Sequence, residues 1–218
     1  MAVDAPHDFP IYTARERVAD LIVHALGVGA GLVGASWLLT VTAGRVSAAE
    51  MASLVAYGAG LVGMLTASAA YHAARPGPRK AMLRRVDHAM IYVMIAGSYT
   101  PFTVNRLDGA SGPVLGVAVW AVALGGVLLK LTAPWRYERL GFALYLGLGW
   151  AILSVAGPLW RSLAPATLAL LAVGGVIYTV GAVIHTKEHL PYHVPVWHAL
   201  VVVAAACHFA AVAREFVA

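Results

Sequence analysis

The chain has 218 residues, of which 61% are hydrophobic and only 11% charged, with a mean hydropathy of +0.78. Soluble domains carry about 25% charged residues, and a chain this short exposes much of its surface, so composition excludes a water-soluble globule and points to lipid. A formal net charge of +5 does not mark a nucleic-acid binder, because the basic residues gather in short loops between apolar runs, and the one cysteine, Cys207, excludes an intrachain disulfide framework.

The first nineteen residues mix acidic and basic groups without the apolar core of a signal peptide, and are expected to form a cytoplasmic tail. From there the charges divide the sequence. Runs free of Asp, Glu, Lys and Arg cover 21–44, 51–74, 88–105, 109–129, 140–160, 162–186 and 189–213. Each approaches the ~20 residues a helix needs to cross a ~30 Å hydrocarbon layer. Leu, Val, Ala and Gly fill them without strict alternation, which disfavours barrel strands and leaves helices as the spanning structure. The expectation is an all-α fold, a polytopic seven-transmembrane-helix bundle over 20–214. Small residues such as Gly27, Gly29 and Gly31 suit close helix packing in lipid.

Lys and Arg count by side sets the orientation. Arg15, Arg17, Arg75, Arg79, Lys80, Arg84, Arg85, Lys130, Arg136, Arg139 and Lys187 fall on one side, and Arg45, Arg106, Arg161 and Arg214 on the other. The positive-inside rule then puts the N-terminus in the cytoplasm and, after seven crossings, the C-terminus outside, in a plasma (inner) membrane.

Nine histidines is a high count for so apolar a chain. In this topology His24, His72, His88, His185, His189, His193 and His198 all fall at or near cytoplasmic helix ends. Ionisable groups inside a bundle are costly and point to function. Ser68 and His72 are four apart and share a helix face, Asp87 opens the third helix on the same side, and the seventh helix presents His198 and His193. Imidazole suits zinc, and three protein ligands with one open position make a hydrolytic site. Spacing alone leaves ligand and hydrogen-bonding roles both open for His72 and His198, since no HExxH or paired CxxC is present. His24, His88, His185 and His189 read as interfacial, His7 as tail, His208 as a buried hydrogen-bonding residue, and Asp87 could instead pair with Arg84 or Arg85.

Several ordered motifs resemble the hemolysin III family, the bacterial branch of the progestin and adipoQ receptors that include the adiponectin receptors. They are Tyr12-Thr13 through Asp20 with His24-Ala25-Leu26-Gly27, Ser68 to His72, Arg85-Val86-Asp87-His88 with Gly97 to Phe102, and Trp197-His198 with Cys207-His208-Phe209. The resemblance implies a zinc ion held by His72, His198 and His193 near the cytoplasmic face, with Asp87 and Ser68 beside the metal or its water. It also implies kinship with alkaline ceramidases, hence hydrolysis of a lipid amide with membrane lipids as partners. One departure stands out. The family's helix-seven pattern is His-x-x-x-His, whereas His193 and His198 are five apart, about 500° of turn, so on a regular helix the side chains diverge by about 140°. Pro195 suits a first helical turn and extends the residue before it, so His193 is expected in a non-helical lead-in that folds back. The competing reading is a non-enzymatic membrane-homeostasis sensor with a structural zinc clamp. A pore-former is disfavoured, because no helix carries a continuous polar stripe.

Overall fold

The structure is a computed structural model and describes residues 9, 12–133 and 138–217, the side chains of 138 and 139 excepted. Thr13 opens the first helix, α1 (Ala14–Thr42), by accepting from the Glu16 N–H at 3.2 Å while the Glu16 carboxylate accepts from the Thr13 N–H at 2.9 Å. This reciprocal cap satisfies two donors at the helix start, and it sets that start six residues before Asp20. Ser47 and Glu50 repeat the device at α2 (Ala48–Ala73). Gly77, with φ of +148°, turns the chain into Pro78, the first residue of α3 (Pro78–Asn105). The chain continues through α4 (Ser111–Thr132), α5 (Glu138–Trp150), a 3₁₀ turn (Ala151–Val155), α6 (Ala156–Ser162), α7 (Pro165–His185) and α8 (His193–Val217).

Among the described residues, six helical stretches are long and apolar enough to cross a membrane: α1, α2, α4, Leu140–Ser162, α7 and α8. The run 140–160, expected as one helix, is broken by the 3₁₀ turn. Tyr99 bridges the break. Its hydroxyl accepts from the Ile152 N–H at 2.9 Å and reaches the Leu148 and Gly149 carbonyls at 2.9 Å each. In lipid an irregular backbone survives only where protein satisfies it. Helix α3 falls outside the apolar set: its first ten residues carry Arg79, Lys80, Arg84, Arg85 and Asp87, and its charge-free remainder is diluted by His88, Tyr92, Ser98, Tyr99, Thr100, Thr103 and Asn105.

Packing explains where that polar helix goes. α3 lies between α2 and α4, α1 lies between α2 and α8, and α7 packs on α8; α5 touches α3, α4 and α7 and so closes a ring. At Gly97 a Cβ would sit 3.2 Å from the Ala56 carbonyl oxygen, so a glycine there lets α2 and α3 approach closely. The ring encloses a cavity of about 910 Å³.

Candidate metal centre

Four side chains from three helices meet at one end of the cavity. Asp20 and His24 are four apart on α1, His72 is in the last turn of α2, and His198 is in the first turns of α8. Each can offer one ligand atom, and these atoms all lie within 4.8 Å of one another. Asp20, His24 and His198 are buried. The Asp20 carboxylate organises the group: Oδ1 accepts from the His198 ring at 2.6 Å and Oδ2 from the His72 ring at 3.0 Å, both through Nδ1. With Nδ1–H so held, Nε2 of each ring carries the lone pair. The three imidazoles crowd together, with centroids 4.4 Å (His24–His198), 4.5 Å (His72–His198) and 5.1 Å (His24–His72) apart.

His24 is tied differently. Its Nδ1–H donates to the Asp20 backbone carbonyl at 2.8 Å, leaving Nε2 to accept from the Ser68 hydroxyl at 3.1 Å. Ser68 also hydrogen-bonds Asp87, which is buried in the third turn of α3. Ser68 has one proton for two neighbours, so with both contacts made the His24–Ser68–Asp87 chain holds one further proton. Both Ser68 and Asp87 line the cavity.

This donor set fits a metal ion. Imidazole and carboxylate together suit divalent transition metals, and an anionic carboxylate inside a bundle calls for a cation or protonated partners. His72 and His198, both expected as ligands, stand in the cluster, and Ser68 and Asp87 stand beside it. His193 does not. It is the first residue of α8 rather than part of an extended lead-in, placed there by Tyr192 in the left-handed region (φ 58°). Its Nδ1 faces the Leu190 carbonyl at 3.0 Å, and its ring lies 6.4 Å from Tyr12 at the cavity mouth. Asp20 and His24 complete the group instead. Of the remaining histidines, His88, His185 and His189 line the cavity, His208 donates from Nε2 to the Leu171 carbonyl at 3.3 Å, and His7 lies outside the described residues.

The sequence profile of the haemolysin-III related family matches residues 12–209, spanning every element that builds this centre. The chain belongs to that family. Two Bacillus haemolysins are similar over nearly their whole lengths: the hemolysin-3 homolog of Bacillus subtilis (strain 168), 33% identical over 199 residues (91% of this chain, 93% of that protein), and the hemolysin-3 of Bacillus cereus, 28% identical over 195 residues (89% of each). The human monocyte to macrophage differentiation factor is 27% identical over 208 residues, covering 92% of this chain and 84% of its own. No solved structure matches the chain. Membership makes this haemolysin-III relative an integral membrane protein with several crossings, in keeping with its six apolar spans.

Proposed function

We propose that this haemolysin-III relative is a zinc-dependent hydrolase of lipid amide bonds, working from the cytoplasmic face of the plasma membrane. One observation carries the reading: the Ser68–Asp87 pair abuts the Asp20, His24, His72 and His198 cluster within a cavity large enough for a lipid headgroup and part of a chain. Ligand sites are commonly ~300–1,000 Å³.

Zinc, when bound, supplies a Lewis acid for a carbonyl and lowers the pKa of a coordinated water towards ~7. The chain's own residues do the rest. His72 and His198 would hold the ion through Nε2, and Asp20, accepting from Nδ1–H of both, fixes their tautomers and ring planes. His24, engaged at both ring nitrogens, positions Ser68 and leaves a coordination place open, as hydrolytic sites require. Once the further proton of the His24–Ser68–Asp87 chain is released, Asp87 is ionised and can accept a proton from the attacking water and return it to the leaving amine. Ser68, its one proton committed to His24 or Asp87, positions the Asp87 carboxyl beside the cluster. The apolar cavity wall, with Met64, Leu65, Ile91 and Val202 among its residues, excludes bulk water and accepts an acyl chain.

Purified protein in detergent, loaded with zinc, is expected to release fatty acid from N-acyl lipids. Asp87→Asn should lower that rate at least a hundredfold while retaining its metal. A second reading is favoured by the number of donors: if His24 swings off Ser68 and Asp20 exchanges its imidazole protons for the ion, four protein ligands close the site and the metal becomes a clamp joining α1, α2 and α8 in a non-enzymatic sensor. Stoichiometric metal with no turnover of any acyl amide in the wild type would decide for the clamp.

A further inference from the structure

A metal site needs an entry path as much as it needs ligands. Asp20, His24 and His198 are buried, and His24, His72 and His198 line the cavity, so an ion reaches the cluster through that space. The hydrolytic chemistry leaves other imidazoles along the same cavity without a task. His185 and His193 both line it, and both are accessible, His185 exposed and His193 half-buried.

Local structure fixes where these two rings stand. Tyr192, in the left-handed region, sends its N–H to Glu16 Oε1 at 2.9 Å and so ties the loop before α8 to α1. His193 follows, its Nδ1–H donating to the Leu190 carbonyl at 3.0 Å, which leaves the lone pair on Nε2. It precedes His198 by five residues, about 7.5 Å of helix. His185 ends α7. One turn earlier, Gly181 has no Cβ to meet the Trp197 indole, so α7 and α8 close up there, and the indole lies 5.7 Å from the His185 ring, centroid to centroid. His185 makes no hydrogen bond among the described residues, so as a neutral imidazole it has a free lone pair. The ring is within electrostatic range of His193 at the mouth and of His198 and His72 in the cluster.

These imidazoles are not a second resident site. Among the described residues, only the Asp20 cluster gathers three or more donor atoms within 4.8 Å of one another. Spread along the cavity, they suit transfer. Bringing an ion into a bundle is costly while its water is being lost, and imidazole, a good ligand for zinc and its neighbours, can replace that water in stages. We propose that His193 and His185 form a metal-loading relay, which takes a divalent transition-metal ion at the cavity mouth and passes it to His198 and His72. This rests on the reading of the cluster as a metal centre, and it adds how the ion arrives.

The full chain in detergent is stripped with a chelator and mixed rapidly with divalent cobalt, and uptake is followed by the visible absorption of the bound ion. Release is followed after the loaded protein meets excess chelator. His193→Asn, which keeps a donor for Leu190, and His185→Ala are each expected to slow uptake about tenfold, one contact of about 1.4 kcal/mol lost from the barrier. Release should slow by the same factor, because a relay changes the rate of exchange and not its equilibrium. Final stoichiometry and affinity stay at wild-type values, which also shows that both variants are folded. Wild-type rates in the two variants overturn the relay. So does weakened affinity with faster release, which makes the residue a resident ligand. Wild-type protein that takes up no ion sinks the metal centre and the relay with it, whereas a centre that fills equally fast without the two imidazoles loses the relay alone.

Discussion

With both oxygens of Asp20 taken by imidazole N–H groups, one side chain sets the attitude of two rings on two other helices. Asp20→Asn keeps the shape but replaces one acceptor by a donor, so either His72 or His198 loses its partner. Metal affinity is expected to fall about 10–100-fold, measured by competition against a chromogenic chelator; unchanged affinity would place Asp20 outside the centre. The histidines should separate in the same assay. His72→Ala and His198→Ala lose stoichiometric metal, whereas His24→Ala keeps it, because the His24 nitrogens are already spent on the Asp20 carbonyl and Ser68. Equal loss in all three variants would instead make His24 a ligand. Part of this candidate cluster is legible in the sequence. Ser68 and His72 sit one helical turn apart, and helix ends alone bring Asp87 and His198 to the same membrane face. Asp20 escaped notice because, as a charge, it served to mark where the apolar run begins. His24, four residues on, reads from sequence as an interfacial residue, although the pair repeats the one-turn spacing of Ser68 and His72. His193 stands apart from the cluster for a local reason: which residue begins α8 depends on one left-handed backbone angle at Tyr192 that no spacing reveals.

The elements themselves divide into those whose ends are written in sequence and one whose break is not. Thr13 with Glu16 and Ser47 with Glu50 are capping pairs that fix the starts of α1 and α2, and Pro165 fixes the start of α7. Nothing comparable marks the 3₁₀ turn after Trp150, where no charge or proline falls within Ala151–Val155. The interruption is held from outside, by Tyr99 reaching across from α3. Tyr99→Phe removes that bridge and leaves the Ile152 N–H and a carbonyl without partners inside the bundle. A destabilisation of about 1–3 kcal/mol is expected, read as an earlier unfolding midpoint in a detergent denaturation series. A midpoint equal to that of the wild type would mean the broken segment satisfies its own backbone.

At the scale of the whole molecule, the number of crossings turns on α3. Its 28 residues would measure about 42 Å, more than the hydrocarbon layer, yet hydropathy passes it over because its first ten residues are charged and its remainder carries Tyr92, Ser98, Tyr99, Thr100 and Thr103. Those groups belong to a helix surrounded by protein: Tyr92 donates to the Gly141 carbonyl at 2.9 Å and Thr100 accepts from Trp120 at 3.1 Å. The two ends of α3 also differ in kind. One is beside the Asp20, His24, His72 and His198 cluster, with Arg84 and Lys80. At the other, Arg106 pairs with Glu50 at 3.1 Å and with Glu215 at 3.7 Å, lying over the Phe216 ring, so that α2, α3 and α8 are fastened together far from the histidines. We therefore expect α3 to cross. Reporters active only in the cytoplasm should work when inserted after Pro76 and fail after Asp108, and one fused after Ala218 should fail as well. If α3 does not cross, the first two insertions report the same side, and the termini share a compartment.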